Sequence, residues 1–175
     1  MADRSGARFR IEVLGAEHDR DRFSCGVPDL DTYIRDRAGQ DARRHIAAVF
    51  VLLEDGPAVL GYYTVAQQVI SLEDVPAKTA KKLPRYPLLP ATLIGRLAVD
   101  RGCQAEGLGG LLLMDALHRS WQASHTVASY AVRVDAKDDR ARDFYLRYDF
   151  LPFPKEPLKL FFPMADLDRL FAGES

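Results

Sequence analysis

The sequence predicts a single α/β domain, and three observations carry that prediction. Some segments alternate apolar and polar residues with the period of half-buried strands, while longer ones repeat apolar residues at helical spacing. The stretch Leu93-Ile94-Gly95-Arg96-Leu97-Ala98-Val99-Asp100 runs on into Gln104-Ala105-Glu106-Gly107-Leu108-Gly109-Gly110. It reads as a buried strand, a glycine turn and a helix from Leu111 to Gln122. A chain of 175 residues has room for one substantial core and not for two comfortable ones.

Phe9 to Leu14 alternates well enough for a first strand. Pro28-Asp29 starts a helix that places Leu30, Tyr33 and Ile34 on one face. Ile46 to Leu53 is a strand, Glu54 to Pro57 a turn, and Ala58 to Ile70 the second arm of a hairpin. Ser71 to Pro90 is acidic first and then basic, with Pro76, Pro84, Pro87 and Pro90 along it. A short helix fits Leu72 to Leu83, and the prolines force extended chain before the fourth strand. Past the glycines, Leu108, Leu111, Leu112, Met114, Leu117 and Trp121 form a broad apolar stripe, which belongs to the core. Ser129 to Val134 is strand-like, Asp135 to Asp139 is a polar break, and Ala141 to Phe150 carries a short helix. Leu158 to Phe162 closes the sheet, and Met164 to Phe171 reads as a short amphipathic helix.

Composition narrows the function classes. Hydrophobic residues at 47% and charged residues at 28% suit an ordinary soluble domain, and no apolar run approaches a membrane span. Met1 to Arg8 lacks the apolar core of a signal peptide, so a cytoplasmic protein is expected. Cys25 and Cys103 make no disulfide framework, and Cys103 reads as a small turn residue rather than a nucleophile. His18, His45, His118 and His125 have no ligand spacing, so no metal is expected. A formal net charge of −1 does not announce a nucleic-acid partner. Locally, however, Lys78, Lys81, Lys82, Arg85, Arg96 and Arg101 face only Asp100, a patch able to bind phosphates. The bland alternative is a solvated lysine-rich loop.

A strand that runs through glycines into a helix offers unpaired N–H groups and the positive end of a helix dipole to one spot, which suits a pyrophosphate. The dinucleotide pattern GxGxxG fails here, because Leu112 stands where the third glycine belongs. The NTPase phosphate loop fails for want of Gly-Lys-Ser/Thr. What remains is Gln-x-x-Gly-x-Gly, spelled by Gln104, Gly107 and Gly109. It resembles the acetyl-CoA loop of the GCN5-related N-acetyltransferase (GNAT) superfamily. A second motif agrees: Phe144-Tyr145, then Tyr148-Asp149-Phe150, is similar to the superfamily's closing Phe-Tyr and aromatic-Gly-Phe signature, with Asp149 in the place of glycine. Asp tolerates left-handed backbone better than most residues, so the turn is compatible.

The stretch Phe23-Ser24-Cys25-Gly26-Val27-Pro28-Asp29-Leu30-Asp31-Thr32-Tyr33-Ile34 resembles one branch in particular, the toxin acetyltransferases of bacterial toxin–antitoxin pairs. Gly61-Tyr62-Tyr63, Pro90 and Gly95 to Asp100 are similar to that branch too. The resemblance implies the GNAT fold, a mixed central sheet of six to seven strands flanked by helices, in one domain over residues 8–172. It implies acetyl-CoA as donor, held by Leu97, Ala98, Val99 and the loop Gln104, Ala105, Glu106, Gly107, Leu108, Gly109 and Gly110. Tyr145 is the implied acid, with Tyr148 as a rival one turn on and Phe144 the better owner of a purely core role. The implied substrate is the amino acid on charged tRNA, docked on Lys78, Lys81, Lys82, Arg85 and Arg96. A ribbon-helix-helix antitoxin and a homodimer complete the expectation.

Chemistry tilts the same way. An α-amine, with a reference pKa of about 7.7, is roughly one-sixth neutral at pH 7, whereas a lysine is almost wholly charged. No paired carboxylate stands out as a base in the sequence, which fits an α-amine better. Two alternatives stay open: a GNAT enzyme of a small amine or protein N-terminus, and a non-catalytic acetyl-CoA-binding module.

Overall fold

The computed structural model describes residues 8–173. The N-terminal stretch Met1 to Arg8 read from the sequence lies outside them, apart from Arg8. Seven strands form one mixed sheet: β1 (Arg10–Val13), β2 (Ala48–Leu53), β3 (Gly61–Ser71), β4 (Leu88–Val99), β5 (Ala131–Asp135), β6 (Leu151–Phe153) and β7 (Glu156–Pro163). Their order is β1-β2-β3-β4-β5-β7-β6. The β4–β5 pair is parallel, while β1–β2, β2–β3, β5–β7 and β6–β7 are antiparallel. The helices are α1 (Pro28–Thr32), α2 (Ala38–Arg43), α3 (Ala77–Ala80), α4 (Leu108–Ser124), α5 (Asp139–Arg147) and α6 (Met164–Leu170). One π turn, Tyr33–Arg37, joins α1 to α2.

The chain forms two compact units, each stitched from two stretches. The first contains the chain up to Ala66 together with Gly95–Ala116. Its core joins Phe23, Tyr33 and Ile34 to Val49, Val51, Leu53, Tyr62 and Ala98. Pro28 stands in the first turn of α1, where its missing N–H leaves no gap in the helix. Asp31 is buried and accepts the Cys25 N–H at 2.8 Å. Gly61 is required by close packing, because a Cβ there would stand 2.9 Å from a Leu112 methyl and 3.0 Å from the Ala98 carbonyl.

The second unit contains Gln67–Ile94 and the chain from Leu117 onward. Ile70, Val75, Ala91, Ala131, Phe153 and Phe161 form its core. The α5 helix is capped by Asp138, whose carboxylate accepts the Ala141 N–H at 2.8 Å. It ends at Arg147, and two residues on Asp149 takes the left-handed conformation at φ 67°, as the signature's usual glycine would.

Four expectations are corrected. The helix after the glycines starts at Leu108, not Leu111, because the chain reverses at Gly107 and Gly109 and Gly110 fall in the first helical turn. Starting the helix there aligns Leu108, Leu112 and Ala116, with Leu113, Leu117 and Trp121 beside them, and leaves Leu111 43% exposed. The hairpin's second arm begins at Gly61; Ala58 makes only an isolated bridge to Asp19. Pro90 lies inside β4 rather than before it. Pairing with β5 begins one residue later, at Ala91, and the Pro90 carbonyl still accepts the Tyr130 N–H at 2.8 Å, so no ladder donor is missing. Finally, β7 does not close the sheet, because the three-residue β6 lies outside it.

Candidate active site

Within the first unit, β4 feeds the proposed cofactor loop. Its ladder with β5 runs over Ala91–Ile94 and stops, so the edge of Gly95–Val99 that β5 would have paired is not occupied by that strand. The chain then makes a tight 3₁₀ stretch, Arg101–Glu106, and turns at Gly107 with φ 73°. A side chain is strained in that conformation, although a Cβ would meet nothing within 4 Å. The first helical bond of α4 runs from the Leu111 N–H to the Gly107 carbonyl at 3.3 Å. The N–H groups of Leu108, Gly109 and Gly110 therefore precede the helical ladder, at the positive end of a 17-residue helix.

Two residues far from the loop in sequence, Ser24 and Cys25, brace it. The Gln104 amide donates to the carbonyls of Cys25 at 2.9 Å and Val99 at 3.0 Å. Its side chain is committed to the protein, and what it can offer a ligand is the shape it gives the loop. Asp100 accepts from the Ser24 N–H and the Gly102 N–H, each at 3.0 Å. The Arg101 N–H returns the contact to the Ser24 carbonyl at 2.8 Å. Sequence reasoning missed this brace. Asp100 followed two residues later by Gly102 is a legible Asx-turn signal, but nothing local announces Ser24 or Cys25. Glu106 pairs with Arg8 at 3.2 Å, another residue not foreseen.

In the second unit, Tyr145 lies on α5 and is 8% exposed. Phe144 and Phe150 pack around its ring at centroid distances of 5.2 and 5.4 Å. Burial pushes its phenol up to about 12. Among the described residues no protein group hydrogen-bonds its hydroxyl. Its rival Tyr148 is less buried and stacks on Phe144.

The expected RNA-docking residues divide. Lys78, Lys81, Lys82 and Arg85 are exposed on α3 and the loop that follows, in the second unit. Arg96 belongs to the first unit, where its guanidinium lies 3.6 Å from the Tyr33 ring centroid. The Tyr33 hydroxyl donates to Asp41 at 2.9 Å, so this cation–π pair is anchored from behind. Neither cysteine is a thiolate at neutral pH: burial pushes Cys25 up to about 11, and burial with the Glu106 and Asp100 charges also raises Cys103. Glu12, Glu17 and His18 gather within 4.8 Å. The His18 Nδ1 accepts the Gly15 N–H at 2.9 Å, which leaves Nε2 as the nitrogen that carries a proton and donates to Glu12 at 2.7 Å. A metal would have to displace that proton. No described helix is long and apolar enough to cross a membrane.

No protein-family model matches the chain. It is 38% identical, over 85% of its length and 87% of the relative's, to a tRNA-acetylating toxin of Mycobacterium tuberculosis strain H37Rv. Among solved structures, AtaT complexed with acetyl-methionyl-tRNAfMet superposes with a TM-score of 0.87 at 31% identity, over 93% of this chain and 99% of that one. A tyrosine-to-phenylalanine mutant of the AtaT toxin, bound to the C-terminus of the antitoxin AtaR and acetyl-CoA, gives a TM-score of 0.80 at 28% identity, over 94% of this chain and 98% of that one. With the strand–turn–helix loop and the mixed seven-stranded sheet already in place, these likenesses identify the chain as a member of the toxin acetyltransferase family within the GNAT superfamily.

Proposed function

We propose that this protein acetylates the α-amine of aminoacyl-tRNA with acetyl-CoA, as the toxin of a toxin–antitoxin pair. The observation that carries this is the 38% identity, spread over 85% of the chain, to a tRNA-acetylating toxin. Residues 8–172 act as one catalytic domain in a cytoplasmic homodimer, restrained by a ribbon-helix-helix antitoxin.

The loop fits the donor. The open, left-handed Gly107 and the N–H groups of Leu108, Gly109 and Gly110 would hold a pyrophosphate, and Gln104, Ala105 and Glu106 shape the approach. The β4 edge at Leu97, Ala98 and Val99 would pair with the pantetheine amides. Acetyl-CoA, when bound, supplies an activated acetyl thioester. Tyr145 supplies the proton-bearing group. A phenol near pKa 12 holds its proton throughout the physiological range. Giving it fully to a thiolate of reference pKa about 8.5 is uphill by about 3.5 units, or roughly 5 kcal/mol. Tyr145 Oη–H therefore works by donating a hydrogen bond to the sulfur as charge develops there, and not as a strong acid. The α-amine needs no strong base, since a useful fraction is neutral at pH 7.

Radiolabelled acetyl-CoA tests this with charged and base-deacylated tRNA pools in parallel. Label should enter only the charged pool. Transfer to a polyamine or a protein N-terminus, with none to charged tRNA, would favour the small-amine alternative.

A further inference from the structure

A second group of residues includes neither the loop nor Tyr145. On β5, Val132 and Val134 are buried on one face of the sheet, and Arg133 projects from the other. Its Nη1 donates to the Val69 carbonyl at 3.1 Å and its Nη2 to Asp135 at 2.9 Å. The guanidinium lies 5.7 Å from the Phe153 ring centroid, and the side chain is 13% exposed. The Nε–H is buried and has no hydrogen-bond partner. A buried, charged donor without an acceptor is rare in native proteins and marks a place where one belongs.

Arg133 lines an open cleft with Ile70, Asp74, Phe153, Lys155, Glu156 and Lys159, all within the second unit. Lys159 is paired with Glu156 at 2.8 Å. Lys155 and Asp74 have no ion-pair partner among the described residues. We infer that this cleft is a phosphate subsite for the single-stranded end of the acceptor RNA, which rests on the aminoacyl-tRNA reading above. The unpartnered Nε–H offers an oxyanion a charged donor, and Lys155 adds an ammonium. Asp74, half-buried beside the cationic groups, favours RNA over an acidic side chain, because its carboxylate accepts from a ribose 2′-OH and repels a second carboxylate.

The test follows the Arg133 Nε–H signal in ¹⁵N-labelled protein, identified by its loss in Arg133→Lys. Adding the dinucleoside monophosphate cytidylyl-adenosine should shift that signal saturably. Lys155→Ala, on an exposed residue outside the core, should weaken the binding about tenfold, the scale of one charge-assisted hydrogen bond. An equimolar mixture of cytidine and adenosine should leave the signal in place. A signal unmoved by cytidylyl-adenosine, moved equally by the nucleosides, or moved by the dipeptide Glu-Glu instead, overturns the assignment. A saturable shift in a protein that fails to acetylate charged tRNA supports the phosphate subsite while removing the tRNA reading.

Discussion

The proposed mechanism rests on one hydroxyl, that of Tyr145. Tyr145→Phe should keep acetyl-CoA affinity and lose acetylation by about 10²-fold or more, while Tyr148→Phe does much less; calorimetry and initial rates separate the two effects. The pH profile follows from the raised phenol. Activity should climb from pH 6 to 8 as the α-amine loses its proton, and initial rates corrected for base hydrolysis of the aminoacyl ester should show no fall from Tyr145, whose group ionises only near 12. The same shift has a stability consequence with a fixed sign. Its folded pKa lies above the free value of 10.0, so its contribution is whole below pH 10 and is lost as pH rises towards 12. Thermal melts of Tyr145→Phe should show a shallower decline over that window than the parent. A neighbouring case is electrostatic. Glu106 places negative charge in the loop proposed to hold the pyrophosphate, and Arg8 offsets it across 3.2 Å. Arg8→Ala should weaken acetyl-CoA binding up to about fivefold at low salt and less at high salt, with Arg8→Ala/Glu106→Gln near the parent.

The loop's shape depends on a brace that joins β4's exit to the strand-to-helix segment at Ser24 and Cys25. Gln104→Ala removes two hydrogen bonds and should cost about 1–3 kcal/mol by denaturant titration, with a loss of acetyl-CoA affinity. Gly107→Ala should cost about 1–2 kcal/mol through its left-handed backbone, and Gly107→Asn less, since neither meets a steric neighbour. Much of this element structure was legible in the sequence. Alternation located β1 and β5, and the Gly107 turn could be read because glycine spacing is a local property. What was not legible depends on tertiary context. The three-residue β6 is too short for a period and contains Pro152, so nothing in it reads as a strand. Leu111 looks apolar enough for the core, and only the register of α4, set at Gly107, turns it outward. Arg96 looked like part of a basic patch, and its stacking on Tyr33 needed a partner 63 positions away in sequence. Arg133 carried no sequence signal, because an orphaned Nε–H exists only once Val69 and Asp135 have claimed the other nitrogens.

At the scale of the whole molecule, a chain of net charge −1 binds RNA only if its positive charge is concentrated. The exposed segment with Lys81, Lys82 and Arg85 supplies such a concentration. Replacing these three by alanine should reduce tRNA affinity strongly at low salt and little at high salt, lowering the log–log slope by about 0.7–0.9 per lost contact. Acetyl-CoA affinity should not change, because the pyrophosphate is assigned to backbone groups of the loop; unchanged tRNA binding at every salt would reduce the segment to a solvated loop. Family membership fixes the superfamily's acetyl-transfer chemistry, and the identity of the acceptor nitrogen is the central claim. The most direct measurement is mass spectrometry of amino acids released by mild base from a charged tRNA pool, after incubation with the enzyme and acetyl-CoA. The prediction is amino acids acetylated on the α-nitrogen, formed about 10²-fold more slowly with Tyr145→Phe and absent when the tRNA is deacylated beforehand. Free, unacetylated amino acids from an enzyme that binds acetyl-CoA and acetylates another amine would contradict it.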